Sequence, residues 1–282
     1  MRTVGRPICV AMLLQKFHVC GGNWSDCTGA KPLLFVLVHR GKRTNTKEGE
    51  ETLNEIVVWG EEHTLLLLLI LATGVGCGWL LLVGKRLKVP QYAVLPIAIL
   101  HTLIGVLSVE VFAFLETGFN PESLGNMSLF GGIFFMPLAY WAGAKLTKRN
   151  TAQVFDIFTI CMIFTVMCAR INCIFAGCCF GTLIPGLENI RWPTREVEIV
   201  FYVVLLIVLG SKVLAGKSHG EIYPIYMISY GALRFVLEFL RFKAGSTSII
   251  HLSHLWALVA FALGLSIYYE LRSPQKAKNF RR

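Results

Sequence analysis

Seven apolar runs, each ended by charge or turn residues, constrain this chain more than anything else in it. They cover residues 64–83, 91–115, 130–143, 154–175, 197–213, 222–240 and 252–269. About 20 apolar residues of helix cross the hydrocarbon core of a bilayer, so most of these runs are long enough and the third is short. Backbone polar groups inside lipid must bond to each other, which limits a chain of this kind to helices. The expected fold is therefore an all-α polytopic membrane protein of about seven transmembrane helices with a small external loop region. Composition agrees, since 55% of the 282 residues are hydrophobic and only 16% are charged, against about 25% charged in soluble domains.

The formal net charge of +10 raises the question of nucleic acid, but its placement answers against it. Lys85, Arg86 and Lys88 follow the first run, Lys145, Lys148 and Arg149 the third, and Lys212 and Lys217 the fifth. Arg272, Lys276, Lys278, Arg281 and Arg282 follow the seventh. The loop after the second run has Glu116 and Glu122 and neither Lys nor Arg. Basic residues confined to alternate loops mark cytoplasmic sides, which predicts a cytoplasmic C-terminus. Residues 1–60 contain only short apolar pieces and a charged stretch at 42–51. They read as a poorly ordered extension ahead of a membrane domain at 61–272, with a basic cytoplasmic tail at 273–282.

Within this frame the expensive residues are the informative ones. Arg170 lies near the end of the fourth run, in ARINCIFAGCCFG, and a guanidinium at membrane depth needs a partner, water or an anionic ligand. Tyr230, Arg234, Glu238 and Arg241 are spaced four, four and three along the sixth run, which puts them on one helix face. The alternating direction of the helices brings Arg170, Glu198, Gly131, Gly132 and these four residues to the same outer depth. One polar site near the external leaflet is the expectation. A purely structural Arg/Glu ladder, with Glu238 as the partner of Arg234 one turn away, is the competing reading of the sixth helix.

These residues resemble those of the prolipoprotein diacylglyceryl transferase family. YGALRFVLEFLR (residues 230–241) reproduces the family pattern Tyr-Gly-x-x-Arg-Phe-x-x-Glu-Phe-x-Arg. Asp156 precedes Arg170 as in the family's fourth helix, ARINCIFAGCCFG is similar to a Cys-rich form of the turn after it, and Pro193, Thr194 and Glu198 in RWPTREVE keep the next motif's spacing. The resemblance covers roughly residues 64–270. Where typical members have His-Gly-Gly, this chain has Phe130-Gly131-Gly132.

The resemblance implies transfer of a diacylglyceryl group from phosphatidylglycerol to the lipobox cysteine of a prolipoprotein signal peptide, in a bacterial inner membrane. It implies catalytic roles for Arg170, Arg234 and Glu238, and substrate binding by Gly131, Gly132, Cys173, Gly181, Glu198, Tyr230 and Arg241. The chemistry fits these residue types. Arginine donates in pairs to phosphate oxygens and stays charged when desolvated, and guanidinium charge favours thiolate over thiol. If a carboxylate base is needed, Glu238 or Glu198 can serve. A non-catalytic or repurposed relative that binds anionic lipid is the alternative, because the usual His is absent.

No cofactor is expected. Cys168, Cys173, Cys178 and Cys179 lack the spacing of a zinc site on a helix and read as small packing residues without metal or disulfide. His101 reads as a packed or hydrogen-bonded histidine, and His251 with His254 as residues of the membrane interface.

Overall fold

The computed structural model describes residues 47–121, 125–186, 190–242 and 250–273, with side chains described from residue 63 onward. Seven α-helices occupy them: α1 (Lys47–Val83), α2 (Gln91–Glu116), α3 (Phe130–Leu146), α4 (Thr151–Phe175), α5 (Thr194–Leu214), α6 (Ile222–Leu240) and α7 (Leu252–Arg272). The expected runs match α2 to α7 to within a few residues. α1 starts at Lys47, well before the apolar run at 64, because hydropathy marks only the part of a helix that lipid can cover. Of the extension expected at residues 1–60, residues 47–60 belong to α1, while residues 1–46 and the tail beyond Ser273 lie outside the described residues.

Residues 63–87, α2, α4, α5 and α7 are long and apolar enough to cross a membrane. α3 has only 17 residues, and α6 has 19 and carries Arg234 and Glu238. The chain is a polytopic membrane protein. Large apolar side chains such as Leu82, Leu103, Val200 and Ile207 are exposed on α1, α2 and α5, as lipid-facing surfaces require.

α4 is the central helix. Thirteen of its 25 residues are buried, against four of 21 in α7, and it packs on α1, α3, α5 and α6. Its start is fixed by Asn150, whose side chain accepts from the Gln153 amide at 3.2 Å, the usual satisfaction of an orphan donor at a helix N-terminus. Asp156, one turn further, accepts from the amides of Gly220 (2.7 Å) and Ile222 (3.1 Å). One carboxylate thus holds the entry of α6 against α4. Trp79 of α1 donates to the Ile157 carbonyl at 3.0 Å.

Close backbone approaches set two further contacts. A Cβ on Gly231 would lie 2.7 Å from the Ala257 carbonyl oxygen and 2.8 Å from the Phe261 nitrogen, so only glycine lets α6 lie this close to α7. A Cβ on Gly131 would meet Phe112 Cβ at 2.7 Å, where α3 presses on α2. His101 is held by the Tyr140 hydroxyl at 2.9 Å, the bonded core histidine expected. His254 is buried against Phe239 and Phe235, its ring centroid 4.4 and 5.5 Å from theirs, and its Nδ1 accepts the His251 amide.

Candidate functional site

Charged side chains from three helices meet at one end of the bundle. Arg170 comes from the end of α4, Glu198 from the second turn of α5, and Arg234 and Glu238 from the end of α6, which Arg241 caps. Arg170 pairs through Nε with Glu198 Oε2. The other oxygen of Glu198 takes Arg234 Nη1 at 2.6 Å, Arg234 Nη2 reaches Glu238 at 2.9 Å, and Arg241 lies 3.8 Å from Glu238. The five groups form a row of alternating sign. Three arginines against two glutamates leave one positive charge, and all but Arg241 are buried.

The sixth helix therefore does what its spacing predicts, presenting Tyr230, Arg234 and Glu238 on one buried face. The pairing of Glu238 with Arg234 at one helical turn, the competing reading of this helix, is present as well. Not every donor in it is used. Among the described residues, Arg234 Nε and the hydroxyls of Tyr226 and Tyr230 are buried without a hydrogen-bond partner. Buried polar groups without partners are uncommon in folded proteins and costly, and here they cluster beside the excess charge.

Beside Tyr230 lies Phe130, in the place of the histidine expected from the resemblance. Its ring meets Tyr230 edge-on at 5.8 Å and packs with Phe112 (6.5 Å) and Phe134 (6.3 Å). The position is an aromatic core element. Gly131 is occupied in the α2–α3 contact, whereas a Cβ on Gly132 would meet only Val109 at 3.8 Å.

The segment after α4 closes over this end. Gly181 pairs with Arg241 and Leu183 with Arg191 as isolated bridges. Thr182 donates to the Leu240 carbonyl at 2.8 Å and Phe242 to that of Phe180 at 3.0 Å. A Cβ on Gly181 would meet Trp192 Cβ at 2.6 Å and Leu240 O at 3.0 Å, so this glycine lets the strand-like segment lie against the end of α6. Arg191 caps the stacked rings of Phe180 and Phe242, 4.4 and 5.1 Å from their centroids.

That pairing carries Cys179 to Arg241, whose Nη2 lies 2.6 Å from the sulfur. The sulfurs of Cys173, Cys178 and Cys179 lie within 4.8 Å of one another, a convergence that helical spacing does not predict because the chain reverses between them. Arg195, overlooked in the sequence, donates through Nη1 to the carbonyls of Cys173 (3.1 Å) and Cys178 (3.2 Å). Cys168 is buried in α4, outside this cluster.

A multi-pass helical membrane protein with a buried, net-cationic arginine–glutamate site at one end of its bundle is the class these features define. The family model described as prolipoprotein diacylglyceryl transferase matches residues 67–269, and the chain belongs to that family. It is similar to the phosphatidylglycerol–prolipoprotein diacylglyceryl transferase of Clostridium tetani, 24% identical over 167 residues, 53% of this chain and 67% of the relative. The enzyme of that name from Campylobacter lari is 27% identical over 175 residues, 56% of this chain and 63% of the relative. That of Citrobacter koseri is 22% identical over 191 residues, 54% and 66% of the two chains. The chain spans about two thirds of the length of these relatives. It is a transferase, and every site residue named above lies within the matched region.

Proposed function

We propose that this protein transfers the diacylglyceryl group of phosphatidylglycerol to the lipobox cysteine thiol of a prolipoprotein, at the outer face of a bacterial inner membrane. The observation that carries the reading is the row Arg170–Glu198–Arg234–Glu238–Arg241, buried except at Arg241, with its one excess positive charge. A phosphodiester brings one negative charge, which neutralises the row. Arg234 Nε and the Tyr230 hydroxyl supply donors that await an acceptor.

In this reaction the acceptor sulfur attacks a glycerol carbon and the carbon–oxygen bond to phosphate breaks, so that glycerol phosphate leaves. Negative charge grows on the leaving phosphate. Arg170 and Arg234, fixed from two helices by Glu198, stabilise that charge without reorganising, which is where preorganised sites gain most. Glu198 is gripped by both guanidiniums and orients them. Glu238 is the better candidate to accept the thiol proton, because its guanidinium partners stand at 2.9 and 3.8 Å, whereas both of those on Glu198 lie at 2.6 Å or closer. Tyr230, Gly132 and Arg241 are assigned to the substrate side, with Cys173 at the end of α4 and Gly181 in the segment that follows it. The distribution of basic loops supports a cytoplasmic C-terminus and an external site.

The test is incubation of the purified protein with phosphatidylglycerol and a lipobox peptide. A peptide mass raised by one diacylglyceryl thioether supports the reading. Lipid binding without product identifies a repurposed lipid-binding relative instead.

A further inference from the structure

We propose that Cys173, Cys178 and Cys179 form a binding site for a thiophilic metal ion of the zinc class, and that the ion's fourth position takes the acceptor thiol. The second half rests on the transferase reading above; the first does not.

The three sulfurs are gathered by construction of the chain. Cys173 sits in the last turns of α4. Gly177 (φ +61°) and Cys179 (φ 60°) then adopt left-handed backbone, which costs a non-glycine residue roughly 1 kcal/mol and turns Cys178 and Cys179 back toward Cys173. The turn is pinned at four places. The Cys178 amide donates to the Cys173 carbonyl at 3.1 Å, Arg195 bridges the carbonyls of Cys173 and Cys178, Thr194 donates to the Cys179 carbonyl at 3.2 Å, and Arg241 holds the Cys179 sulfur.

Thiolates bound at about 2.3 Å to one zinc ion stand about 3.8 Å apart. The observed separations, all within 4.8 Å, need to close by no more than about 1 Å. Sulfur ligands select zinc or cuprous copper over calcium or magnesium.

Three protein ligands and one open position is the arrangement of catalytic zinc, whereas structural zinc is closed by four. Among the described residues, no fourth His, Cys, Asp or Glu joins the group. The acceptor thiol enters that position and gives its proton to Glu238, which Arg241 links to Cys179, because a metal-bound thiol ionises outright. Its sulfur then forms the bond to the glycerol carbon as the carbon–oxygen bond to phosphate breaks. The thioether product is neutral, a poor ligand, and leaves. Arg241 touches both Cys179 and Glu238, so the metal stands beside the ion-pair row. The ion supplies the thiol activation that Phe130, a hydrocarbon ring, does not.

The experiment uses the full chain in detergent, stripped with a chelator and titrated with Co²⁺. One Co²⁺ per chain is expected, with the charge-transfer and tetrahedral bands of thiolate coordination, displaced by Zn²⁺. Cys178→Ser should weaken binding more than tenfold and Cys77→Ser should not. Independently of any variant, Zn²⁺ should protect Cys173, Cys178 and Cys179 of the wild type from alkylation, read by peptide mapping. Absence of binding, equal binding by Cys178→Ser, or a disulfide among the three overturns the site. A lipobox peptide should intensify the charge-transfer band and its Cys→Ser version should not; equal spectra overturn the acceptor role. Product formation is scored separately, so a responsive spectrum without thioether product condemns the transferase reading and leaves the metal site standing.

Discussion

Glu198 on α5 and Arg234 on α6 meet at 2.6 Å with both side chains buried, and the same carboxylate holds Arg170 on α4. One residue therefore ties together the three helices that build the site. Its removal leaves two buried guanidiniums facing each other. Breaking a buried pair from one side typically costs about 3–5 kcal/mol. Glu198→Gln should lower the thermal unfolding midpoint in detergent clearly and abolish turnover, and an unchanged midpoint would show that the row does not hold the helices.

The adjacent glycines of α3 should separate packing from binding. Gly131→Ala drives a methyl into the α2 backbone region near Phe112, an overpacking that costs roughly 1–3 kcal/mol and should appear as a lowered midpoint. Gly132→Ala meets only ordinary contact distance, so its midpoint should stay at the wild-type value while turnover falls. Equal effects on stability from both variants would refute the assignment.

Phe130→His restores the residue usual in the pattern that this chain resembles. Turnover should be preserved or raised. The midpoint should fall, since aromatic pairs such as those of Phe130 with Tyr230, Phe112 and Phe134 contribute about 0.5–1.5 kcal/mol each beyond buried area. A tenfold loss of turnover with an intact fold would mean that the ring itself shapes the substrate path.

Topology is tested with reporter fusions. Alkaline phosphatase should be inactive when fused after Arg282 and active when fused within the turn at Gly186. The reverse pattern would put the arginine site on the cytoplasmic side.

The helices were legible because lipid imposes a single rule, and α6 was predicted at Ile222–Leu240 without error. The ion-pair row was legible for the same reason: Arg170, Glu198, Arg234 and Glu238 are costly in apolar helices and so announce themselves. What escaped the sequence depends on chain reversal. Asp156 holding the entry of α6, Arg195 gripping two carbonyls, and the convergence of Cys173, Cys178 and Cys179 all follow from turns with left-handed residues and from the pairing of Gly181 with Arg241. No periodicity encodes these. The start of α1 at Lys47 escaped because helix propensity in Lys, Glu and Leu extends past the apolar stretch.

The central claim, that Arg170 and Arg234 stabilise the departing phosphate, is tested most directly by product formation in charge-conserving variants. Arg170→Lys and Arg234→Lys, at expression and helicity matched to wild type, should each lose about 3 kcal/mol of transition-state stabilisation, on the order of a hundredfold in the rate of thioether formation. An ammonium keeps the charge but not the paired donors. Arg241→Lys, at the half-buried end of the row, should lose less. Wild-type rates in both the Arg170 and Arg234 variants would contradict the claim.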